Sequence, residues 1–378
     1  MTSVYLKKVS IRRFKQFENV VFDLSTTKNY PFNEDALANE GRVVKTALLY
    51  GRNGAGKSNL GLAVIDLTLH LTDGVKNFDL YKYYINADAE IHNAEFSYEF
   101  LQGDDVYRYE YVKESPAACL AERFFVNDDL VFEVDRRTKT LRMPGAEKYG
   151  FAALRADGLK ISLLKYIASN SNIPDDNPIR AVMNFARRML FFKPSDSCNC
   201  LIGMENNLQL NFCGYIVQNG FLQEFESFLR EGGIDEFLEA SQEADYQNIK
   251  IFFKRKEQSL PINEAGSSGT QAMVQLFYWM KHFDKASFVF IDDFDASCHA
   301  ELAELIYEKI KQIGEKQLPQ CVLATHNVDL LSNRITRPDC CYIVAPGKIA
   351  PLSLLTSREI REGNNLKNLY LSRAFGTL

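Results

Sequence analysis

The stretch Gly51-Arg52-Asn53-Gly54-Ala55-Gly56-Lys57-Ser58 constrains this chain more than any other. It satisfies G-x-x-x-x-G-K-[ST] at every fixed position. An apolar, β-prone run, Ala47-Leu48-Leu49-Tyr50, precedes it, and a helix-compatible run, Asn59 to Leu71, follows. Strand, glycine turn and helix in that order turn a string match into a phosphate-binding loop. A polyphosphate must be met by several backbone N–H donors at once, and glycine lets the backbone approach without a Cβ in the way. The helix N-terminus adds partial positive charge. Lys57 offers a point charge for the β- and γ-phosphates, and Ser58 a hydroxyl for Mg²⁺. Gly51 to Asn59 are therefore the expected nucleotide-binding residues.

A length of 378 residues suffices for two lobes and a large core. Apolar residues at 46% and charged residues at 25% are ordinary for a soluble globular protein. A net charge of −5 gives no global basic field for nucleic acid, although it leaves a local basic groove open. Arg187-Arg188 and Lys254-Arg255-Lys256 are the basic clusters, and they read as solvated helix faces. Met1–Lys8 has no apolar h-region and no apolar run approaches 18 residues, so the expectation is a cytoplasmic protein without a membrane partner. Among eight cysteines, only Cys198-Asn199-Cys200 is closely spaced. It lacks a second pair and a nearby His, so reduced thiols are expected rather than zinc.

Residues 4–24 read as two short strands, with Arg12-Arg13-Phe14-Lys15-Gln16-Phe17 between them. Residues 25–42 read as a polar surface loop. Ala94 to Phe100 and Val106 to Val112, joined through Gln102-Gly103-Asp104-Asp105, form a hairpin. Phe124-Phe125-Val126 and Leu130 to Val134 extend it into an antiparallel lobe. The row Tyr107, Tyr109 and Tyr111 reads as strand packing rather than a platform for bases. Leu159 to Ile167, Ile179 to Phe191, Leu222 to Leu229 and Ile234 to Leu238 are candidate helices. In the last third, Ser287 to Ile291, Cys321 to Thr325 and Cys341 to Val344 are buried strands alternating with an amphipathic helix, Ala300 to Ile313, as in a largely parallel sheet. The expected division is 1–155, an N-terminal half with the phosphate loop and β lobe; 156–257, a helical insertion; and 258–378, a C-terminal half.

Three further stretches bear on the nucleotide. Phe288-Val289-Phe290-Ile291 ends in Asp292-Asp293. A carboxylate at that strand end can hold the Mg²⁺ shell, and its neighbour can polarise an attacking water. Ala324-Thr325-His326-Asn327 ends the next strand and offers an imidazole to a γ-phosphate or to the water; standing alone it would read as a structural His. Ser267-Ser268-Gly269-Thr270-Gln271 opens a helix near the anion, although on its own it is an ordinary cap.

In this order the motifs resemble the ATP-binding-cassette branch of P-loop ATPases, the SMC, RecF and OLD-like group. Within it the chain is similar to short bacterial AAA-like ATPases of phage defence and abortive infection. Phe290 to His299 resembles that group's Walker B and D-loop string, and Ser267 to Thr270 its signature motif. Arg12 to Phe17 resembles its basic-aromatic strand end, and Asn365 to Gly376 its C-terminal tail. The likeness covers about residues 1–72 and 260–378, and the middle only in outline. It implies an α/β fold of the ABC-ATPase head type: a mixed sheet with an antiparallel β lobe and an inserted helical subdomain. It also implies a homodimer or higher oligomer bridged by ATP. Lys57 and Ser58 would act in cis and Ser268 and Gly269 on the other subunit's nucleotide. Asp292 would be the Walker B acid, Asp293 the catalytic base, Asp295 the D-loop acid and His326 the switch histidine. The group usually has Glu where this chain has Asp293, and no Q-loop glutamine can be assigned.

Some OLD-like relatives carry a nuclease domain, but only about eighty residues follow the acid pair here. Arg230-Glu231-Gly232-Gly233-Ile234-Asp235 reads as a turn rather than a nuclease motif. The expected function is thus an ATP-hydrolysing subunit of an anti-phage complex that senses a trigger and controls a separate effector, a nuclease or toxin. The alternative is a RecF-like repair ATPase that clamps DNA. A scaffold that turns over little is the third reading.

Overall fold

Helix α1 (Lys57–Leu71) is buried on nearly every side. Leu60, Leu62, Ala63, Val64, Ile65, Leu67 and Leu71 leave no polar stripe, and a helix apolar all round needs cover all round. In the computed structural model two seven-stranded sheets supply it. The structure describes residues 3–72, 78–155, 158–194, 202–204, 211–241, 248–296, 298–316 and 319–375.

The first sheet uses β5 (Thr46–Tyr50), β11 (Met189–Phe192), β12 (Ile202–Gly203), β16 (Phe288–Ile291), β17 (Gln320–Ala324), β18 (Cys341–Ala345) and β19 (Lys348–Pro351). Their order is β12-β11-β16-β17-β5-β18-β19. The inner five run parallel and the two edges antiparallel. Strands β5, β11, β16 and β17 are buried at every residue, as their unbroken apolar runs require. Ala47 and Leu49 face the α1 side, while Leu48 and Tyr50 face a second core on the other side. That second core is built with α4 (Phe212–Gln218), α5 (Leu222–Glu231), α7 (Ser268–Met280), α8 (Ala300–Lys316) and α9 (Leu366–Leu371).

The second sheet is antiparallel, in the order β10-β9-β8-β7-β6-β1-β2. Its strands are β1 (Val4–Phe14), β2 (Phe17–Asp23), β6 (Ala94–Gln102), β7 (Asp105–Lys113), β8 (Cys119–Val126), β9 (Asp129–Asp135) and β10 (Thr140–Arg142). Alternation sends Phe96, Tyr98, Phe100, Tyr107, Tyr109 and Tyr111 inward, so the Tyr row is core packing. The outward face carries paired charges: Lys8–Glu99 at 2.9 Å, Arg123–Glu133 at 2.8 Å and Arg137–Asp135 at 2.7 Å.

Buried polar groups tie α1 to this lobe. Asp66 accepts from Tyr84 Oη (2.9 Å), Tyr111 Oη (2.8 Å) and Lys113 Nζ (2.9 Å). One turn on, His70 Nε2 lies 2.8 Å from Tyr109 Oη. Tyr109, Ser162 and Arg136 donate to Glu122 at 2.7, 2.8 and 2.8 Å. Burial alone would raise the Glu122 pKa, but the donors, His70 and Arg136 among them, pull it below the carboxylate range. Although His70, Cys119 and Glu122 could share a cation by distance, Glu122 is already saturated with donors. Gln320 joins the sheets, donating to Leu6 O (2.9 Å) and Val44 O (3.0 Å).

Several expectations need correction. Strand β1 runs unbroken through Arg12-Arg13-Phe14, so only Lys15 and Gln16 form the turn. Residues 25–42 hold a 3-10 turn (Glu34–Ala36) and β3 (Leu37–Ala38), which pairs with β4 (Val43–Val44); Tyr30, Ala36 and Ala38 are buried. Segment 156–257 is not wholly helical. Helix α2 (Leu163–Asn170) starts later than expected, on a Ser162 cap. Helix α3 (Pro178–Arg187) stops short, and Met189–Phe192 is β11 of the parallel sheet. A short apolar run has no period that separates a helix tail from a covered strand. Ile234 to Leu238 is not a helix; β13 (Leu238–Ala240), β14 (Ile251–Phe253) and β15 (Leu260–Pro261) form a small sheet, with the short α6 (Ile262–Ala265) after it. Lys254 and Arg255 therefore lie in a loop, where Arg255 pairs with Glu236, and not on a helix face. Cys198-Asn199-Cys200 falls outside the described residues.

Gly61 lets α1 lie close to the sheet: a Cβ there would meet Phe191 at 2.6 Å and Phe290 at 2.7 Å. Gly61→Ala should therefore destabilise by about 1–3 kcal/mol in urea unfolding, although Ala is the better helix former by about 1 kcal/mol. Asp66→Ala strands the buried Lys113 ammonium and should cost about 3–5 kcal/mol by the same assay. Adding Lys113→Met should recover part of that loss.

Candidate functional site

Four parallel strands end side by side, and each is followed by a charged or phosphate-binding element. Register sets the ends level: Phe192 opposite Ile291, Ile291 opposite Leu323, Ala324 opposite Leu49. Lys193 follows β11, Asp292-Asp293 follows β16, Thr325-His326 follows β17, and the loop 51–56 follows β5. The carboxyl ends of parallel strands are where open α/β sheets bind ligands.

The loop owes its shape to glycine. Gly54 and Gly56 have φ of 77° and 107°, which a side chain would strain. A Cβ on Gly56 would also meet Gln16 Nε2 at 2.5 Å. Gln16, in the β1–β2 turn, donates to Gly54 O (3.2 Å) and accepts from Asn59 Nδ2 (2.7 Å), so the antiparallel lobe braces the loop. Arg52, Asn53, Gly54 and Ser58 are exposed, whereas Lys57 is buried.

Lys57 Nζ donates to Gly51 O (3.1 Å) and lies 2.8 Å from His326 Nε2. Burial lowers the Lys57 pKa, against the pull of Asp293, Asp292 and Asp295. His326 Nε2 is in turn 3.8 Å from Asp293 Oδ1. The second oxygen of Asp293 accepts from Lys193 Nζ at 2.8 Å. Asp293 itself sits at φ 47°, a left-handed conformation that non-glycine residues rarely hold. Asp295 accepts from Thr325 Oγ1, whose oxygen takes the Asn327 N–H at 2.9 Å. Burial raises the Asp295 pKa, with Thr325 opposing.

Asp292 is 2% exposed, and its Oδ1 has no hydrogen-bond partner. Burial raises its pKa, while a hydrogen bond to Ser58 opposes the rise. A buried carboxylate with an orphan oxygen beside a hydroxyl is an oxygen donor set that suits a hard divalent cation. The residues present fit Mg²⁺.

The structure thus brings Lys57, Ser58, Asp292, Asp293 and His326 to one place. Ser268 and Gly269 are elsewhere in the chain's own bonding. Ser267 caps α7 by accepting from Thr270 N (3.2 Å), and Gln271 donates back to Asn263 O (3.2 Å). Among the described residues, no hydrogen bond of that turn reaches the phosphate loop. Ser267 and Ser268 are exposed. The residue missed from sequence is Lys193. Its signal was an apolar strand ending in a charge, hidden by reading Met189–Phe191 as a helix tail. No glutamine stands at this strand end; the position is a lysine.

The family model described as "AAA domain, putative AbiEii toxin, Type IV TA system" matches residues 47–332, three quarters of the chain. The chain belongs to this AAA family. Its phosphate loop, acid pair and His326 all lie inside the matched span, so this AAA protein is a P-loop ATPase by family as well as by motif. Among solved structures, an SMC head bound to the C-winged helix domain of ScpA is 18% identical, with a TM-score of 0.46, covering 92% of this chain and 97% of that one. An SMC head domain from Thermotoga maritima is 14% identical, with a TM-score of 0.42, covering 92% and 98%. The recombination mediator RecF is 14% identical, with a TM-score of 0.39, covering 93% and 99%. No curated protein sequence matches the AAA chain. No helix among its described residues is long and apolar enough to cross a membrane.

The folded pKa of Asp292 lies above the unfolded one, so the bare fold loses stability as pH rises through the raised value. Asp292→Asn removes that charge. It should stabilise the nucleotide-free, magnesium-free protein at pH 8 by about 1 kcal/mol, and by less as the pH falls toward the ordinary carboxylate value, in thermal unfolding.

Proposed function

We propose that the chain is the ATP-hydrolysing subunit of a bacterial anti-phage defence complex. Two copies close head to head on ATP and thereby control a separate effector, a nuclease or toxin. The support for the hydrolytic part is one observation: the buried Lys57, the orphan Asp292 oxygen, Asp293 and His326 converge at level strand ends beside a glycine loop. The family's toxin–antitoxin description supports the defence setting.

In this reading the backbone N–H groups of residues 51–58 and the Lys57 ammonium hold the phosphates. Ser58 and Asp292 would hold Mg²⁺, which would supply positive charge against the phosphates. Asp293 accepts the proton of the attacking water, and His326 orients that water or donates to the γ-phosphate. Asp295 acts through Thr325, fixing the turn that carries His326. Ser268, exposed at the start of α7, and the half-buried Gly269 beside it meet the γ-phosphate held by the partner copy. Asp293 is one methylene shorter than Glu, so its reach to water is short and turnover is slow.

Duplex DNA, the alternative partner, needs a basic groove. The outward face of the antiparallel sheet instead pairs its Lys and Arg with Glu and Asp. A gel shift at two salt concentrations should therefore show weak binding; tight binding that falls steeply with salt would favour a DNA clamp.

Lys57→Ala should cut ATP hydrolysis about 10²-fold, in the range for loss of one preorganised charge. Ser268→Arg should cut it comparably while the isolated subunit still binds nucleotide, and it should block the ATP- and Mg²⁺-dependent dimer seen by light scattering. Unchanged turnover in Ser268→Arg would reduce the protein to a nucleotide binder without a shared pocket. Asp293→Glu should raise turnover.

A further inference from the structure

We infer that Lys193 is the specificity-determining residue by which this site tells a nucleoside triphosphate from a diphosphate. The inference rests on the ATP reading above. Lys193 stands at the end of β11, next to β16, where the Asp292 N–H donates to Phe192 O at 2.9 Å. Its ammonium holds Asp293 Oδ2 at 2.8 Å, with both side chains about a quarter exposed. The other oxygen of Asp293 faces His326 at 3.8 Å, and His326 meets Lys57 at 2.8 Å. The four side chains make a row with a lysine at each end and the acid between Lys193 and His326.

Two consequences follow. Without a terminal phosphate, the Lys193 ammonium ties down the carboxylate that would take a proton from water, and Asp293 is held as well by its left-handed backbone. A γ-phosphate bound next to Lys57 brings up to two negative charges to the middle of this row. It then competes with Asp293 for Lys193. Once Lys193 turns to the phosphate, Asp293 is free. The water oxygen forms its bond to Pγ, the bond from Pγ to the bridging oxygen breaks with its electron pair going to the diphosphate, and the water proton passes to Asp293. A diphosphate lacks the group that draws Lys193 away, so the acid stays tied.

The test is equilibrium binding of ADP and of an ATP analogue with a non-hydrolysable β–γ bridge, measured by calorimetry with Mg²⁺ on the full chain. Lys193→Met should weaken the analogue about tenfold and ADP by less than about twofold, the tenfold being about 1.4 kcal/mol, near the value of one charge-assisted hydrogen bond. Lys193→Arg should restore most of the preference. Asp293→Asn removes the competitor and should tighten the analogue, and that gain should vanish in the Lys193→Met/Asp293→Asn double variant. Equal losses for analogue and ADP in Lys193→Met, or a gain in Asp293→Asn that survives without Lys193, would overturn the inference. Wild-type protein that binds neither ligand would instead sink the ATP reading. Circular dichroism and an unfolding midpoint for each variant separate misfolding from lost recognition.

Discussion

Everything at the nucleotide end depends on where α1 is held. A helix apolar on all sides has no solvent face, so it can rest only between two covers. One cover is the parallel sheet, brought within reach because residue 61 is glycine. The other is the tyrosine face of the antiparallel lobe, fixed by hydrogen bonds to Asp66 and His70. A shift of α1 along its axis would break those bonds and carry the phosphate loop with it. The lobe thus does more than add mass: through Gln16 it touches the loop, and through Asp66 it sets the helix.

Level strand ends do the rest. Parallel strands in register deliver Lys193, Asp292, Asp293 and His326 to one edge without any long-range search. The cost is electrostatic. Lys57 and Asp292 are both buried, and for each the loss of water outweighs the nearby opposite charges. Such a site is poised for a ligand that brings both signs. Phosphate answers the ammonium, and a cation answers the orphan oxygen. Stability withheld in the bare fold becomes binding free energy when they arrive.

The legible parts were those with a local physical signature. The glycine loop, the two-residue turn at Gly103-Asp104, the alternating β6 and β7 and the buried β16 and β17 follow from residue patterns alone. What was not legible depends on partners distant in sequence. Met189–Phe192 is four apolar residues after a helix, and only its pairing with Phe288–Ile291 makes it a strand. Lys193 was lost with it. Residues 25–42 look polar, yet Tyr30 is buried where Arg337, itself held by Asp339, donates to its carbonyl oxygen from three hundred residues away. The carboxylate pair and a division of labour within it were legible, but not the surroundings of each acid: the buried orphan oxygen of Asp292 and the Lys193 tether on Asp293. Both acids follow the same strand, and only burial and partners separate an orphan oxygen from a tethered one.

That division bears on why a shorter acid stands at 293. A glutamate there could reach further toward a water, but its carboxylate would also sit one methylene further from the backbone that aims it. In this chain the left-handed turn at Asp293 and the Lys193 ammonium together fix a short side chain between a lysine and the His326 ring. Short reach and firm tether act in the same direction: both keep the acid from the water until something displaces Lys193. On the reading proposed above, an ATPase built this way would spend most of its cycle loaded and waiting, which suits a protein whose output is a conformation presented to a partner more than one that turns over nucleotide continuously.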